Sequence, residues 1–308
     1  MPRVGHRAGH RVGVTRTVSY RLVTDKSPER KRGVSVTHGS TASPERRFPD
    51  IDFTKAHTAR VWNYWLGGKD NYPVDREVGE QVRAVLPEIV DAARAQRGFL
   101  IRVVRHLVAD AGIRQFLDIG TGLPTANNTH EVAQANAPEC RIVYVDNDPL
   151  IMAHARALLT STADGATDYV YADLHDSDTV LREAARTLDF TQPIALMLLG
   201  VMEHILDTEE AYAIVTHLLE ALPSGSYLAL CDPTTEIRPE TMLEAVHRWN
   251  ESATPMIKAR SRQELVRFFA GLELLEPGVV SSSLWRPDPQ DLGTPVEVFN
   301  FGGVGRKP

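Results

Sequence analysis

From residue 114 onward the chain repeats one pattern: a short apolar run, a turn, then a helical stretch. Apolar runs stand at 114–119, 141–145, 169–171, 194–199 and 226–230, and helical stretches at 130–136, 150–159, 179–188 and 209–221 separate them. Strands that alternate with helices run parallel, because each helix carries the chain back to the edge where the next strand begins. Strands that are apolar along most of their length are covered by helices on both faces. Two further helical stretches, 241–250 and 262–269, lead to an apolar run at 272–275 and a strand-like one at 296–301. The pattern predicts an α/β, Rossmann-like fold: a seven-stranded, mostly parallel sheet with helices on both faces.

Upstream of that pattern the chain changes character twice. Residues 1–47 carry eleven Arg and Lys against three acids, a net of +8, among Gly, Ser, Thr and Pro with no apolar periodicity. They read as a disordered basic tail. Residues 48–112 read as an N-terminal helical extension or lid: a short helix with Ala59, Trp62 and Leu66 at helical spacing, a turn-rich 67–73, then helices over 74–86 and 89–109. Residues 113–308 form the sheet domain. The whole chain carries −6, so everything beyond the tail carries −14, a poor match for a nucleic-acid backbone. The charge tilts the partner toward a small molecule or a protein, and a small molecule is the expected one. The longest apolar run, 194–201, is about half a membrane span, and the N-terminus lacks the apolar stretch of a secretory signal. Cys140 and Cys231 form no CxxC pair and the eleven histidines show no ligand spacing, so neither a disulfide framework nor a metal site is expected. These features point to the cytoplasm.

Ligands of such sheets bind beyond the carboxyl ends of the strands, where strand order reverses. After the first strand the sequence reads Phe116-Leu-Asp-Ile-Gly-Thr-Gly-Leu-Pro-Thr125. Gly120 and Gly122 permit a tight turn and close approach of a ligand to the backbone, and the next helix offers N–H groups to an anionic group. An ordinary strand-to-helix turn has the same composition, so the acids nearby decide. Asp146 directly follows the second strand, where a carboxylate accepts both hydroxyls of a ribose. Asp173 follows the third, placed to accept from an adenine amine. With Asp118, three consecutive strand ends carry acids. A dinucleotide fingerprint wants a small residue where Thr125 stands, and Asp118 would repel a pyrophosphate. The same carboxylate suits the ammonium of a methionine moiety. The set favours S-adenosylmethionine, with NAD as the alternative.

Together with 116–125, the segments Val143-Tyr-Val-Asp-Asn-Asp-Pro149, Tyr171-Ala-Asp-Leu174 and Trp62-Asn-Tyr-Trp-Leu-Gly-Gly-Lys-Asp-Asn71 resemble an actinobacterial family of S-adenosylmethionine-dependent methyltransferase-like proteins, formerly described as a domain of unknown function. The resemblance runs from about residue 52 to the C-terminus, including 269–274 and 285–287, and leaves out the basic tail. It implies a Rossmann-like methyltransferase fold with cofactor contacts at Asp118, Gly120, Gly122, Asp146 and Asp173. Asn147, Leu174 and Lys69, inside the same matching segments, join them as candidate contacts. The family's methyl acceptors are not generally assigned.

For chemistry, the end of the fourth strand reads Gly200-Val-Met-Glu-His204. His204 is a candidate general base, and Glu203 can orient it or bind an amine. The bland alternative is a helix start capped by local pairing. The Asn/Asp-Pro-Pro-aromatic run common in methyltransferases of nucleobase amines does not occur here. Cys231 reads as a buried structural thiol. Trp62, Tyr64, Trp65 and Tyr72 either cover the cofactor, with Gly67-Gly68 as hinge, or simply dock a helix. The expectation is an S-adenosylmethionine-dependent methyltransferase with a small-molecule acceptor. A cofactor-binding regulatory protein without transfer comes second, and an NAD-dependent oxidoreductase third.

Overall fold

The computed structural model describes residues 52–158, 160–288 and 295–308, so the tail expected at 1–47 lies outside the described residues. A two-residue strand, β1 (Ala56–His57), leads into α1 (Thr58–Trp65), α2 (Pro73–Val85) and α3 (Ile89–Ala109). The alternating part follows as β2 (Gln115–Ile119), α4 (Thr129–Asn136), β3 (Arg141–Asp146), α5 (Pro149–Leu158), β4 (Ala166–Tyr171), α6 (Ser177–Ala184) and β5 (Ala195–Leu199). After β5 come a 3-10 turn at Met202–His204, α7 (Thr208–Glu220), β6 (Tyr227–Pro233), α8 (Pro239–Ser252), β7 (Ala253–Thr254) and α9 (Arg262–Arg267). Three strands follow: β8 (Glu273–Leu274), β9 (Val280–Ser281) and β10 (Asn300–Arg306).

The main sheet has the order β4-β3-β2-β5-β6-β10-β8, with β9 also paired to β10. Strands β2 to β6 are parallel and β10 is antiparallel. The chain starts in the middle at β2, moves outward to β4, then crosses back to β5, so strand order reverses between β2 and β5. Loops leaving those two strands diverge and open a crevice at their carboxyl ends.

Alternate residues of each strand serve opposite layers. Leu117, Val143, Leu196 and Leu198 pack with Val180 of α6 and Val215 of α7. Phe116, Ile142 and Met197 pack with Phe99 and Val103 of α3 and Ala133 of α4. Each fully buried large side chain of this kind contributes roughly 1.5–3 kcal/mol relative to exposure. Asp118 has the parity of Phe116, so its carboxylate emerges on the α3–α4 side, and that decides its partners.

The N-terminal helices form their own cluster, in which Val61, Trp65, Val78 and Val82 meet Met242 and Trp249 of α8. A buried ion pair fastens it: Arg60 Nε donates to both carboxylate oxygens of Asp75 at 3.0 Å. Asp75 also accepts the backbone N–H of His57 and of Tyr72. Strand β1 pairs with β7 in parallel, Ala56 beside Ala253, which ties the start of α1 to the end of α8. Nothing in so short a segment announced that pairing.

The seven expected strands are present, with β9 as an eighth. The last one lies at Asn300–Arg306 rather than 296–301. Gly302, Gly303 and Gly305 weaken its strand signal, since glycine has no side chain to pack. They are required here: a Cβ at Gly302 would stand 2.8 Å from Phe99, and one at Gly305 2.9 Å from Phe269.

Candidate functional site

A cleft opens where β2 and β5 diverge. The turn Gly120-Thr121-Gly122 forms its floor, Trp62 and Asn63 of α1 and Gln96 and Arg97 of α3 form walls, and His204 closes one end. Gly120 adopts φ +75°, and a Cβ there would stand 2.6 Å from Val201, so the two turns touch only because this residue has none. Gly122, at φ +64°, has nothing within 4 Å of where a Cβ would be, which leaves bare backbone facing the cleft.

Two carboxylates flank that floor. Asp118 is buried, and Thr129 at the start of α4 donates its hydroxyl to Oδ2 at 2.6 Å. Burial pushes the Asp118 carboxyl up to about 6, against the pull of the Thr129 hydrogen bond and of Arg97. Asp146 accepts from Gly122 N at 3.1 Å and from Asp148 N at 2.9 Å. Burial again outweighs these bonds and lifts it to about 6. The protein's own groups therefore leave both carboxylates short of compensating charge.

Of the other predicted residues, Asn147 lines the cleft and donates its Nδ2 to Asp173 Oδ2 at 2.9 Å. Asp173 itself stands beyond the lining, half-exposed. Burial raises its pKa, but hydrogen bonds from the His175 backbone and ring and from Asn147 outweigh that and hold it below the usual carboxylate range. The Leu174 side chain is buried in the core, which leaves its backbone as the part a ligand can meet. Lys69 is exposed in the turn after α1, outside the lining. That turn is tied down: Asn63 Oδ1 accepts from Asp70 N and Asn71 Nδ2, both at 3.0 Å. Gly68 lies against Asn63, where a Cβ would overlap the amide. Of the four aromatics, Trp62 alone lines the cleft. Trp65 is in the helical core, Tyr64 donates to Glu80, and Tyr72 stacks edge-on with Phe53.

The turn after β5 divides its two candidates. His204 faces the cleft, and its Nδ1 lies 3.1 Å from Met256 O. A carbonyl only accepts, so Nδ1 carries the proton and Nε2 keeps its lone pair in the neutral ring. Burial drives the His204 pKa down to about 4. Glu203 lines a neighbouring cavity, and its Oε1 is 3.9 Å from His204 Nε2, too far for a hydrogen bond. Arg260, fully buried, holds the turn by donating to Met202 O at 2.7 Å and Ile205 O at 2.5 Å.

Several lining residues had not been singled out from sequence: His57, Gln96, Arg97, Asn128 and Thr129. Arg97 donates to Ala126 O and Asn128 Oδ1, both at 3.0 Å, which fixes its guanidinium near Asp118. A signal for it existed. Ala93, Gln96, Arg97 and Leu100 share one face of α3, so a polar pair interrupts an otherwise apolar stripe.

Fold and cleft together define a protein of the Rossmann-like methyltransferase class. Residues 44–308 match the S-adenosyl methyltransferase family, and the chain belongs to it. It is similar to the crystal structure of a DUF574 family protein from Streptomyces avermitilis, at 44% identity and TM-score 0.80 over 84% of this chain and 100% of that one. It is also similar to a proposed methyltransferase from Thermobifida fusca, at 39% identity and TM-score 0.76 over 83% of this chain and 96% of that one. No curated protein matches it.

Proposed function

We propose that the protein is a methyltransferase that uses S-adenosylmethionine and acts on a small-molecule acceptor. The observation that carries this is the pair of undercompensated carboxylates, the buried Asp118 and the half-buried Asp146, on either side of a bare glycine floor. They suit a ligand that brings an ammonium, a sulfonium and ribose hydroxyls, and they oppose one that brings a diphosphate.

In this reading Asp146 accepts the ribose hydroxyls, and Asp118 with Arg97 holds the amino-acid end by opposite charges. Gly120 and Gly122 let the ligand lie on the backbone. Asn147 and Asp173 meet the adenine edge, and Leu174 contributes its backbone. Trp62 covers the cleft from α1. Lys69 carries no part of the proposal. Once bound, the cofactor supplies an electrophilic methyl group on sulfur. Positioning of the acceptor gives much of the rate. An acceptor hydroxyl must also lose its proton, and His204 Nε2 takes it, with the Nδ1–H held on Met256 O.

Release of S-adenosylhomocysteine in the presence of candidate acceptors tests the reading. His204→Ala is expected to lower turnover on hydroxyl acceptors by about 10²–10⁴-fold while cofactor affinity stays unchanged. In the wild type, with cofactor saturating at every pH, turnover should stay flat down to about pH 5 and fall only as the ring protonates near 4. Cofactor binding without homocysteine-form release for any acceptor would make this a binding protein instead.

A further inference from the structure

The turn that carries His204 meets a second polar side chain of the cleft wall. Gln96 of α3 lies against Gly200, where a Cβ would stand 2.7 Å from Gln96 Nε2 and 3.9 Å from its Oε1. Asn300, buried at the start of β10, turns that amide by donating its Nδ2 to Gln96 Oε1. Gln96 Nε2 therefore faces the carboxyl end of β5, and among the described residues it donates to no group. Further along the same turn His204 offers the opposite. Its Nδ1–H is held on Met256 O, so Nε2 presents a lone pair. Both side chains line one cleft.

We propose that Gln96 and His204 together read the atom that receives the methyl group, and that this atom is a hydroxyl oxygen rather than an amine nitrogen. The proposal rests on the methyltransferase reading and adds the functional group of the acceptor. A hydroxyl has one hydrogen and two lone pairs. Its hydrogen goes to His204 Nε2, one lone pair accepts from Gln96 Nε2, and the other is left to attack the methyl carbon. The oxygen–carbon bond forms as the carbon–sulfur bond breaks, its electron pair stays on sulfur, and the hydroxyl proton passes to His204 Nε2. A neutral amine carries a single lone pair. If Gln96 takes it, the nitrogen cannot attack; if it attacks, the Gln96 N–H is left facing an N–H, a costly mismatch away from water. An ammonium fares worse. Among the described residues the only carboxylates lining the cleft are Asp118 and Asp146, at the ends of β2 and β3 and on the cofactor's side in this reading. Leu199, Val201 and Pro255, which also line this end, add no side-chain donor or acceptor.

The full chain, saturated with S-adenosylmethionine, is offered hydroxy compounds, each matched to the amine that differs only at that atom, beginning with phenol and aniline. Release of S-adenosylhomocysteine is followed. The proposal expects release with hydroxyl members and none with their amine partners. Gln96→Leu should lower kcat/KM for a hydroxyl member by about 3–10-fold, for the loss of one neutral hydrogen bond, with calorimetric affinity for S-adenosylhomocysteine unchanged. Gln96→Glu, which replaces the donor by an acceptor, should cut hydroxyl transfer further and open transfer to the matched amine. A merely structural Gln96 would lose hydroxyl transfer in both variants with no gain of amine transfer, and that result would overturn the proposal. So would amine transfer by the wild type at the rate of the hydroxyl partner. Weaker cofactor binding by Gln96→Leu would assign the amide to the cofactor and overturn it too. Transfer to amines strikes this inference and leaves the methyltransferase reading standing, whereas cofactor binding with no release from any pair strikes that reading and this one with it.

Discussion

On the β2–β4 side of the cleft, the candidate residues sit at strand ends, within one or two positions of a sheet buried on both faces. Asp118 and Asp146 are charged groups held by local backbone and one hydroxyl. On the opposite side, Trp62, Arg97, His204 and Glu203 come from α1, α3 and the turn after β5, brought together by helix packing, the β1–β7 pair and Arg260. Burial lowers the pKa of His204 in that turn to about 4 and raises that of Glu203. One side presents carboxylates at strand ends, the other indole, guanidinium and imidazole groups carried on helices and a turn. Under the proposed function, this difference assigns cofactor recognition to the sheet and acceptor recognition to the helices laid over it.

The comparison breaks most sharply at Arg60. Arg60→Met leaves Asp75 buried and uncompensated, and should cost about 3–5 kcal/mol in urea unfolding. If helix docking governs only the acceptor side, the surviving folded fraction should still bind S-adenosylhomocysteine. Next, Asp146→Ala should weaken that binding by about 10–100-fold, since a charge-assisted hydrogen bond contributes about 1.5–3 kcal/mol; calorimetry measures it. Wild-type affinity in this variant would remove the ribose assignment.

The third effect is in pH. Asp118 and Asp146 titrate near 6 in the folded protein against an ordinary 3.8. The folded state therefore holds protons that the unfolded chain releases, and the stability of the ligand-free protein should fall as pH rises from about 4 to 6, then level off. Ligand binding runs the other way, because it needs the ionised carboxylates. The dissociation constant should tighten by about tenfold per carboxylate between pH 5 and 7. Affinity that stays flat over that range would mean these groups are ionised without the ligand.

What the sequence disclosed follows the same division. The strand ends were legible because apolar runs, glycines and acids lie within a few residues of each other, and helix α3 was legible at both ends from its apolar stripe and the following Gly112. Strand β10 was displaced because its glycines carry no strand signal, although Phe99 and Phe269 demand them. Arg97 and Thr129 went unnoticed because their meaning depends on Asp118, which reaches them only through strand parity and helix packing. Glu203 and His204 were visible as a pair, but their separation into two cavities is a property of a 3-10 turn held by Arg260, 55 or more residues away in sequence. Long-range packing of that kind leaves no local pattern to read.

The central claim is that the two strand-end carboxylates select a sulfonium cofactor over a dinucleotide. Calorimetric titration of the purified protein with S-adenosylhomocysteine, run in parallel with NAD, tests it most directly. Micromolar binding of the first and none of the second is the predicted result. Binding of NAD alone would contradict the account and make Asp146 the ribose ligand of a dinucleotide.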